Sequence, residues 1–181
     1  LVSAISGQHG KMDCPLGWTV LSDYGCIRQI PLADYEFPSL ACQKIDERAR
    51  LPIWKDMAHY DLIVDYMREH QITTTFLDIY DIGQHSRHEG HETKLITGDN
   101  QCPFDNIPWH EGQPSHDQEK SGCLEIKYSG GQYLVNDLPC DPMRMFRYPY
   151  LRNGPNDQFT TLCQIDFFDR YSEPVCEAAE N

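Results

Sequence analysis

Several patterns that mark whole classes of protein are missing from this 181-residue chain. It has no Cys-x-x-Cys pair, so zinc ribbons and thioredoxin-type sites lack their spacing. It has no apolar run near eighteen residues, and no membrane span is predicted. The Gly-x-Ser-x-Gly, His-Glu-x-x-His and phosphate-loop signatures are also absent. We therefore expect that the chain is not an enzyme.

Positive charge is scarce. The chain has 15 Lys and Arg against 28 Asp and Glu, a formal net charge of −13. Binding to phosphate needs clustered Lys and Arg, so nucleic acid and anionic membranes are excluded as expected partners. The acid excess fits cation binding, and it fits solubility in an extracellular fluid equally well.

Cysteine, in contrast, is abundant. Eight cysteines, an even number, favour a disulfide framework and an oxidising compartment. The chain starts at Leu1, and we expect that a signal peptide has been removed and that the protein is secreted and extracellular. No Asn-x-Ser/Thr triplet occurs, so ordinary N-glycosylation is not expected.

Regular helices are predicted in the first half of the chain. Residues 14–30 have the pattern of a β-hairpin around a Ser-Asp-Tyr-Gly turn. Ser39 is a candidate cap for a helix to about Arg50. Asp56 begins a second helix, to about Glu69, with one apolar stripe that we assign to the core.

Strands dominate the rest of the chain. They are predicted at residues 72–80, 123–128, 132–135 and 159–165, with Gly130-Gly131 turning the middle pair. Residues 81–118 show no period of a helix or a strand, and we expect an irregular segment there that is functional, disordered or a regular element misread from the pattern. Early helices with late antiparallel strands indicate an α+β domain.

Six motifs in order resemble the C-type lectin-like domain family, in its long form with an N-terminal hairpin. They are Cys14-Pro-Leu-Gly-Trp18, Cys42 in the first helix, Trp109-His-Glu-Gly-Gln-Pro114, Cys123-Leu-Glu-Ile, Asn136-Asp137 before Cys140, and Phe159-Thr-Thr-Leu-Cys163. The resemblance implies two helices flanking antiparallel sheets, stapled by disulfides, with a long irregular loop region that carries a calcium and sugar site. We expect a tail at residues 1–13, the domain at 14–165 with an insertion at 141–158, and a tail at 166–181.

The disulfide pairing is implied by the resemblance, because eight cysteines alone allow 105 pairings. It pairs Cys14 with Cys26, Cys42 with Cys163, and Cys123 with Cys140. In the chain-entropy model the long Cys42–Cys163 loop is worth about 4–5 kcal/mol.

The same resemblance names a ligand set. Calcium would be bound by Gln113, Ser115, Glu119, Asn136 and Asp137, and a sugar by the same residues without Glu119. Ser115, Ser121 and Val135 depart from the family pattern, and Glu119 is displaced by two residues from the expected acid. Only Asp137 is then an aligned carboxylate, and calcium affinity falls with ligand charge. We expect weak calcium binding or none, and the Gln-Pro order implies a galactose-type preference.

Two other metal hypotheses lie in the irregular segment. His85, His88 and His91 have spacings that suit zinc or copper, although histidines in a solvated loop need no partner. Asp99-Asn100 and Asp105-Asn106 could form a second cation site, but such pairs more often cap turns, and we rank turn capping first.

Residues 142–155 carry three arginines, three aromatic residues, two methionines and no acid. These residue types are enriched at the centres of interfaces. We hypothesise a docking surface for a protein partner or an identical acidic subunit, formed by the residues Arg144, Phe146, Arg147, Tyr148, Tyr150 and Arg152. The alternative is a loop that packs on its own domain.

The sequence therefore predicts a secreted recognition protein that binds a glycan with weak or absent calcium dependence. The alternative is a calcium-independent protein-interaction or structural module of an extracellular assembly.

Cys102 and Cys176 are left over by this pairing, and we predict that they bond to each other. Non-reducing proteolysis followed by mass spectrometry should yield one peptide pair that contains both cysteines within one chain. The competing possibilities are an intermolecular bridge and two free thiols. Cys102 found in a peptide that links two chains would contradict the intrachain bond.

Overall fold

The computed structural model describes residues 13–81, 85–86, 90–91, 95–97, 107–115 and 121–170. In this part of the chain nine strands and three helices alternate with turns. The strands are β1 (Thr19–Leu21), β2 (Gly25–Pro31), β3 (Thr74–Asp81), β4 (His85–Ser86), β5 (Gly90–His91), β6 (Leu95–Thr97), β7 (Ser121–Ser129), β8 (Gln132–Pro139) and β9 (Thr160–Asp166). The helices are α1 (Pro38–Ile45), α2 (Met57–Glu69) and α3 (Pro142–Met145), and two 3-10 turns follow at Pro149–Leu151 and Pro155–Asp157.

All strand pairs are antiparallel. One sheet has the order β1-β2-β9, a second has the order β6-β3-β7-β8, and β4 pairs with β5 alone. The first sheet joins the N-terminal hairpin to the last strand. Strands β2 and β9 approach each other closely at Gly25. There φ is +153° and a Cβ would lie 2.1 Å from the carbonyl oxygen of Ile165, so only glycine fits. The predicted turn at Gly130 and Gly131 is confirmed, with φ of +59° and +86°.

Helix α2 matches its prediction. Asp56 precedes it in extended conformation and accepts a hydrogen bond from the backbone amide of His59 at 2.9 Å. Four residues of the predicted apolar stripe are buried, namely Tyr60, Ile63, Val64 and Met67, whereas its first residue, Met57, is 43% exposed.

Helix α1 differs from its prediction at both ends. It begins at Pro38 rather than after a Ser39 cap, because proline suits the first helical turn and its missing amide costs nothing there. It ends at Ile45 rather than near Arg50. Asp46 is extended, and its carboxylate accepts from the backbone amide of Arg48 at 2.9 Å, which favours a turn over further helix.

The expectation of an irregular segment from residue 81 to 118 was wrong in part. Strands β4, β5 and β6 lie inside it. Strand β6 adds to the edge of β3, with Ile96 opposite Tyr80. Its three residues, Leu-Ile-Thr, have ordinary strand character, but a run this short gives no visible alternation.

Three disulfides match the pairing implied by the resemblance. They join Cys14 to Cys26, Cys42 to Cys163 and Cys123 to Cys140, with Cα–Cα distances of 5.6, 5.5 and 5.1 Å. Cys102 and Cys176 lie outside the described residues, so their bond stays a prediction.

The four-stranded sheet lies between two clusters of buried side chains. Leu77, Ile79 and Ile126 point to the cluster that contains α2. Phe76 and Leu138 point to the cluster that contains Cys42, Met145 and Leu151. Successive strand residues face opposite sides, so one sheet serves both clusters.

The packed unit continues beyond residue 165, where the sequence placed the end of the domain. Arg170 is 4% exposed, and one guanidinium nitrogen donates to Asp78 at 2.8 Å and to the carbonyl of Leu51 at 3.1 Å. Its Nε donates to Asp166. A buried guanidinium needs such partners, and here they fix residues 166–170 against the domain.

None of the helices in the described residues is long and apolar enough to cross a membrane.

His59 is a buried titratable group on α2. Its ring stacks on Tyr24 at 4.3 Å between centroids, and its Nδ1 accepts from the backbone amide of Lys55 at 3.2 Å. Burial lowers the pKa of His59 to about 4, so the folded protein holds a neutral imidazole where the unfolded chain binds a proton near pH 6.5. Stability from this residue is complete above the unfolded pKa and is lost as the pH falls toward the folded pKa.

We therefore expect that a His59→Gln variant loses less stability between pH 6.5 and pH 4.5 than the wild type, by about 2 kcal/mol. Urea unfolding at the two pH values measures the difference. His70→Gln, at the exposed histidine that follows the end of α2, is the control for replacing a histidine by glutamine. Equal slopes for wild type and His59→Gln would contradict the assignment.

Candidate functional site

The site lies where residues 107–115 run along the free edge of β8. The backbone amide of Val135 donates to the carbonyl of Pro108 at 2.8 Å, and the amide of His110 donates to the carbonyl of Val135 at 3.0 Å. The imidazole Nε2 of His110 also contacts the carbonyl of Lys127 at 2.8 Å. These bonds hold the segment against the sheet.

A tight turn then brings the segment back toward the strand. The amide of Gln113 donates to the carbonyl of His110 at 3.0 Å, and Gly112 takes a φ of +78° that favours glycine. The Gln113–Pro114 peptide bond is cis. Gln113, Pro114 and Ser115 are half-buried at the surface.

Three of the side chains predicted from the sequence meet at this turn. The backbone amide of Ser115 donates both to Gln113 Oε1, at 2.9 Å, and to Asp137 Oδ1, at 3.0 Å. The Ser115 hydroxyl donates to the same Asp137 oxygen at 3.1 Å. Gln113, Ser115 and Asp137 therefore form one cluster of polar groups, which we call the loop site.

Asn136 does not belong to the loop site. Its amide donates to Glu125 Oε1 at 3.1 Å, on the opposite face of β8 from Asp137. Adjacent residues of a strand point to opposite faces, so the sequence neighbours Asn136 and Asp137 are separated by the sheet. The predicted ligand set is divided at this point. Glu119, its fifth member, lies outside the described residues.

Glu125 is the centre of a buried polar network that the sequence did not predict. Its side chain is 0% exposed and accepts hydrogen bonds from Thr74, Asn136 and Tyr150, the last at 2.8 Å. Burial raises the pKa of the Glu125 carboxyl, and the three donors oppose that shift. The only signal in the sequence is an acid in the middle of the strand Cys123-Leu-Glu-Ile, which a half-exposed strand would also show.

The oxygen atoms available in the described residues do not make up a calcium site by themselves. Calcium takes 6–8 oxygens, and the loop site offers one carboxylate, one amide and one hydroxyl. The point shared by Gln113 and Asp137 is filled by the amide hydrogen of Ser115. Among the described residues no group of three or more His, Cys, Asp or Glu side chains is placed to hold a metal.

The other metal hypotheses stay predictions. The backbones of His85 and His91 are paired across β4 and β5. Their side chains lie outside what the structure describes, as do His88 and the pairs Asp99-Asn100 and Asp105-Asn106.

The segment 142–155 packs on its own domain through part of its length. Met145 and Leu151 are 2% and 1% exposed, and the Tyr150 hydroxyl donates to Glu125. The ring of Phe146 lies 4.2 Å from that of Phe159. Lys127 covers the Tyr150 ring, with its Nζ 3.8 Å from the centroid.

The remaining residues of the predicted docking surface are more open. Arg147 and Arg152 are exposed, and Arg144 and Tyr148 are half-buried. Arg152 lies 4.3 Å above the Phe159 ring and donates to the carbonyl of Asp157 at 3.2 Å. The structure therefore separates the predicted set into two inward aromatic anchors, Phe146 and Tyr150, and an outward group that contains the arginines.

Solved C-type lectin domains have the same architecture. The C-type lectin domain of murine dendritic cell inhibitory receptor 2, solved with an N-glycan, matches with a TM-score of 0.58 and 21% identity over 85% of this chain and 99% of that chain. The C-type lectin CEL-I from Cucumaria echinata matches with a TM-score of 0.59 and 18% identity over 87% of this chain and 100% of that chain. Human lithostathine matches with a TM-score of 0.58 and 16% identity over 84% of this chain and 99% of that chain.

The protein therefore has the C-type lectin-like fold, with antiparallel sheets, helices and disulfides in the expected order. At these identities the likeness establishes the fold. No protein-family model matches the sequence, and neither does any curated protein.

The Glu125 network predicts that removing the Tyr150 hydroxyl destabilises the protein. Tyr150→Phe keeps the ring but removes a donor from a buried carboxyl, which should lower the free energy of unfolding by about 1–3 kcal/mol. Chemical unfolding at neutral pH measures this change. Tyr35→Phe is the matched control, since Tyr35 is 57% exposed, and it should change stability by less than about 0.5 kcal/mol. Equal effects of the two substitutions would refute the network.

Proposed function

We propose that the protein is a recognition protein that binds carbohydrate at the loop site and acts by binding rather than by catalysis. The observation that supports this proposal most directly is that Gln113, Ser115 and Asp137 meet at one point of the surface. A sugar presents neighbouring hydroxyls, each of which donates and accepts. An amide, a hydroxyl and a carboxylate supply both kinds of partner within a few ångströms.

The solved structures support this proposal by analogy of fold. The murine receptor domain was crystallised in complex with an N-glycan, and the cow CD23 domain, with a TM-score of 0.55 and 16% identity, was solved in the presence of an oligosaccharide. The same fold also occurs in a Ca2+-dependent type II antifreeze protein, with a TM-score of 0.56. The fold alone therefore does not identify the ligand, and the support for a sugar ligand comes from the residues of the site.

Calcium dependence is proposed to be weak or absent. The loop site has one carboxylate, and its central position is filled by a backbone amide hydrogen. Asp137 is 8% exposed, so it mainly orders Ser115, while the half-buried Gln113 and Ser115 face the ligand. We also propose a preference for galactose-type sugars, which rests on the Gln113-Pro114 order. Asn136 is left out of the proposed sugar contacts because it serves Glu125.

The proposed location is extracellular. Three disulfides cross-link the described chain, one of them between cysteines 121 residues apart, and such bonds persist in oxidising compartments.

A glycan array with and without chelator tests the proposal. We expect binding to galactose-terminated glycans that changes by less than about twofold with chelator, because the described oxygens are too few for calcium. Gln113→Ala and Asp137→Ala should each weaken binding by roughly tenfold or more, the first through loss of a ligand contact and the second through loss of the hydrogen bonds that order Ser115. Gln43→Ala, at an exposed residue of α1, is the control for general effects of removing a glutamine.

Two results would count against this function. The first is an array with no glycan bound in either condition. The second is glycan binding that both loop-site variants leave unchanged while they keep wild-type unfolding curves.

A further inference from the structure

The insertion presents an arginine surface on the outside of the domain. We define it as Arg144, Arg147 and Arg152 with Met143 and Tyr35. In the described part of the chain none of the three arginines has a carboxylate within ion-pair distance, whereas Arg48, Arg68 and Arg170 each have at least one. Three such cations close in sequence are unusual in a chain of net charge −13.

Apolar side chains lie among these arginines. Met143 is 54% exposed and Tyr35 is 57% exposed, and the Tyr35 ring lies 5.5 Å from that of Phe146. Arginine, methionine and aromatic residues together are enriched at the centres of protein interfaces. A surface built only for a polyanion would not need the exposed methionine and tyrosine, so an acidic protein surface is the favoured partner.

An acidic surface of suitable form exists on the same molecule. Asp61, Asp65 and Glu69 are exposed along one side of α2 at spacings of four residues. We call these three residues the acidic face, which extends for about 12 Å along the helix. Arg68 pairs with Asp65, but within the described residues Asp61 and Glu69 have no ion pair.

The two surfaces lie on opposite sides of the four-stranded sheet. Helix α2 packs through Ile63 and Met67 into one buried cluster. The insertion packs through Met145 and Leu151 into the other cluster. One molecule cannot bring the two surfaces together, and a contact between them joins unlike patches of two molecules. Such a contact is heterologous, and it generates chains or rings rather than a closed symmetric pair.

We propose that the arginine surface of one molecule binds the acidic face of a second copy of this chain, so that the protein self-associates head to tail. Guanidinium groups suit this role because they bind carboxylates in a planar, paired geometry. The contact uses none of the three residues of the loop site.

Sedimentation velocity of the full chain over a range of concentrations tests the proposal. At about 50 mM sodium chloride the mean mass should rise with concentration beyond that of a dimer, and about 500 mM should return the protein toward monomer by screening. Variant A, Arg144→Ser with Arg147→Ser, should weaken association by roughly tenfold or more. Variant B, Asp61→Lys with Glu69→Lys, should weaken association to the same extent.

An equimolar mixture of the two variants gives the decisive measurement. Variant A keeps the acidic face and variant B keeps the arginine surface, so the mixture should form dimers and nothing larger. Lys44→Ser with Arg48→Ser is the matched control: it also removes two exposed cations, but each of these already has a local acid partner. This control should associate like the wild type.

Three outcomes would overturn the proposal: a wild-type protein that stays monomeric at low salt, variant A associating as strongly as the control, or a mixture that remains monomeric. Near-ultraviolet circular dichroism of each variant checks that the fold is kept. Arg144→Gln with Arg147→Gln replaces variant A if the serine variant does not fold.

Discussion

The pairing of β7 with β8 is the constraint on which both candidate surfaces depend. It directs Asp137 to the side where the 107–115 segment lies, and Asn136 and Glu125 to the side where the insertion packs. The Cys123–Cys140 disulfide joins the outer ends of the two strands. A shift of one residue in this register would exchange the two faces and remove both the loop site and the anchor of the insertion.

Buried polar groups then attach the less regular segments to this frame. Glu125 holds the insertion through the hydroxyl of Tyr150, and Arg170 holds the residues after β9 through Asp78. Each of these buried ionisable groups requires its hydrogen-bond partners, because leaving such a group unpaired in the interior costs on the order of several kcal/mol. The insertion is therefore both a packed part of the domain and the bearer of outward arginines.

The two proposed activities use different residues of the domain. Carbohydrate binding is assigned to the edge of β8, and self-association to the insertion and to the outer side of α2. Since the surfaces do not overlap, a head-to-tail assembly would present many loop sites at once. Linked sites of modest affinity gain avidity in this way without any new contact.

The sequence by itself determined the cap and extent of α2 and the turn at Gly130-Gly131, and its resemblance to a known family implied the fold and the three described disulfides. These features depend on local chemistry or on a chain of spaced motifs, and both are visible in a linear sequence. It misplaced both ends of α1, missed three short strands and grouped Asn136 with Asp137.

Only the tertiary structure decided which face of β8 each side chain meets, and that Glu125 would be buried with Tyr150 rather than exposed. The physical reason is that burial and hydrogen-bond partners are set by elements far apart in the chain. Thr74, Glu125 and Tyr150, which are separated by 51 and 25 residues, meet only after the sheet has formed and the insertion has folded over it.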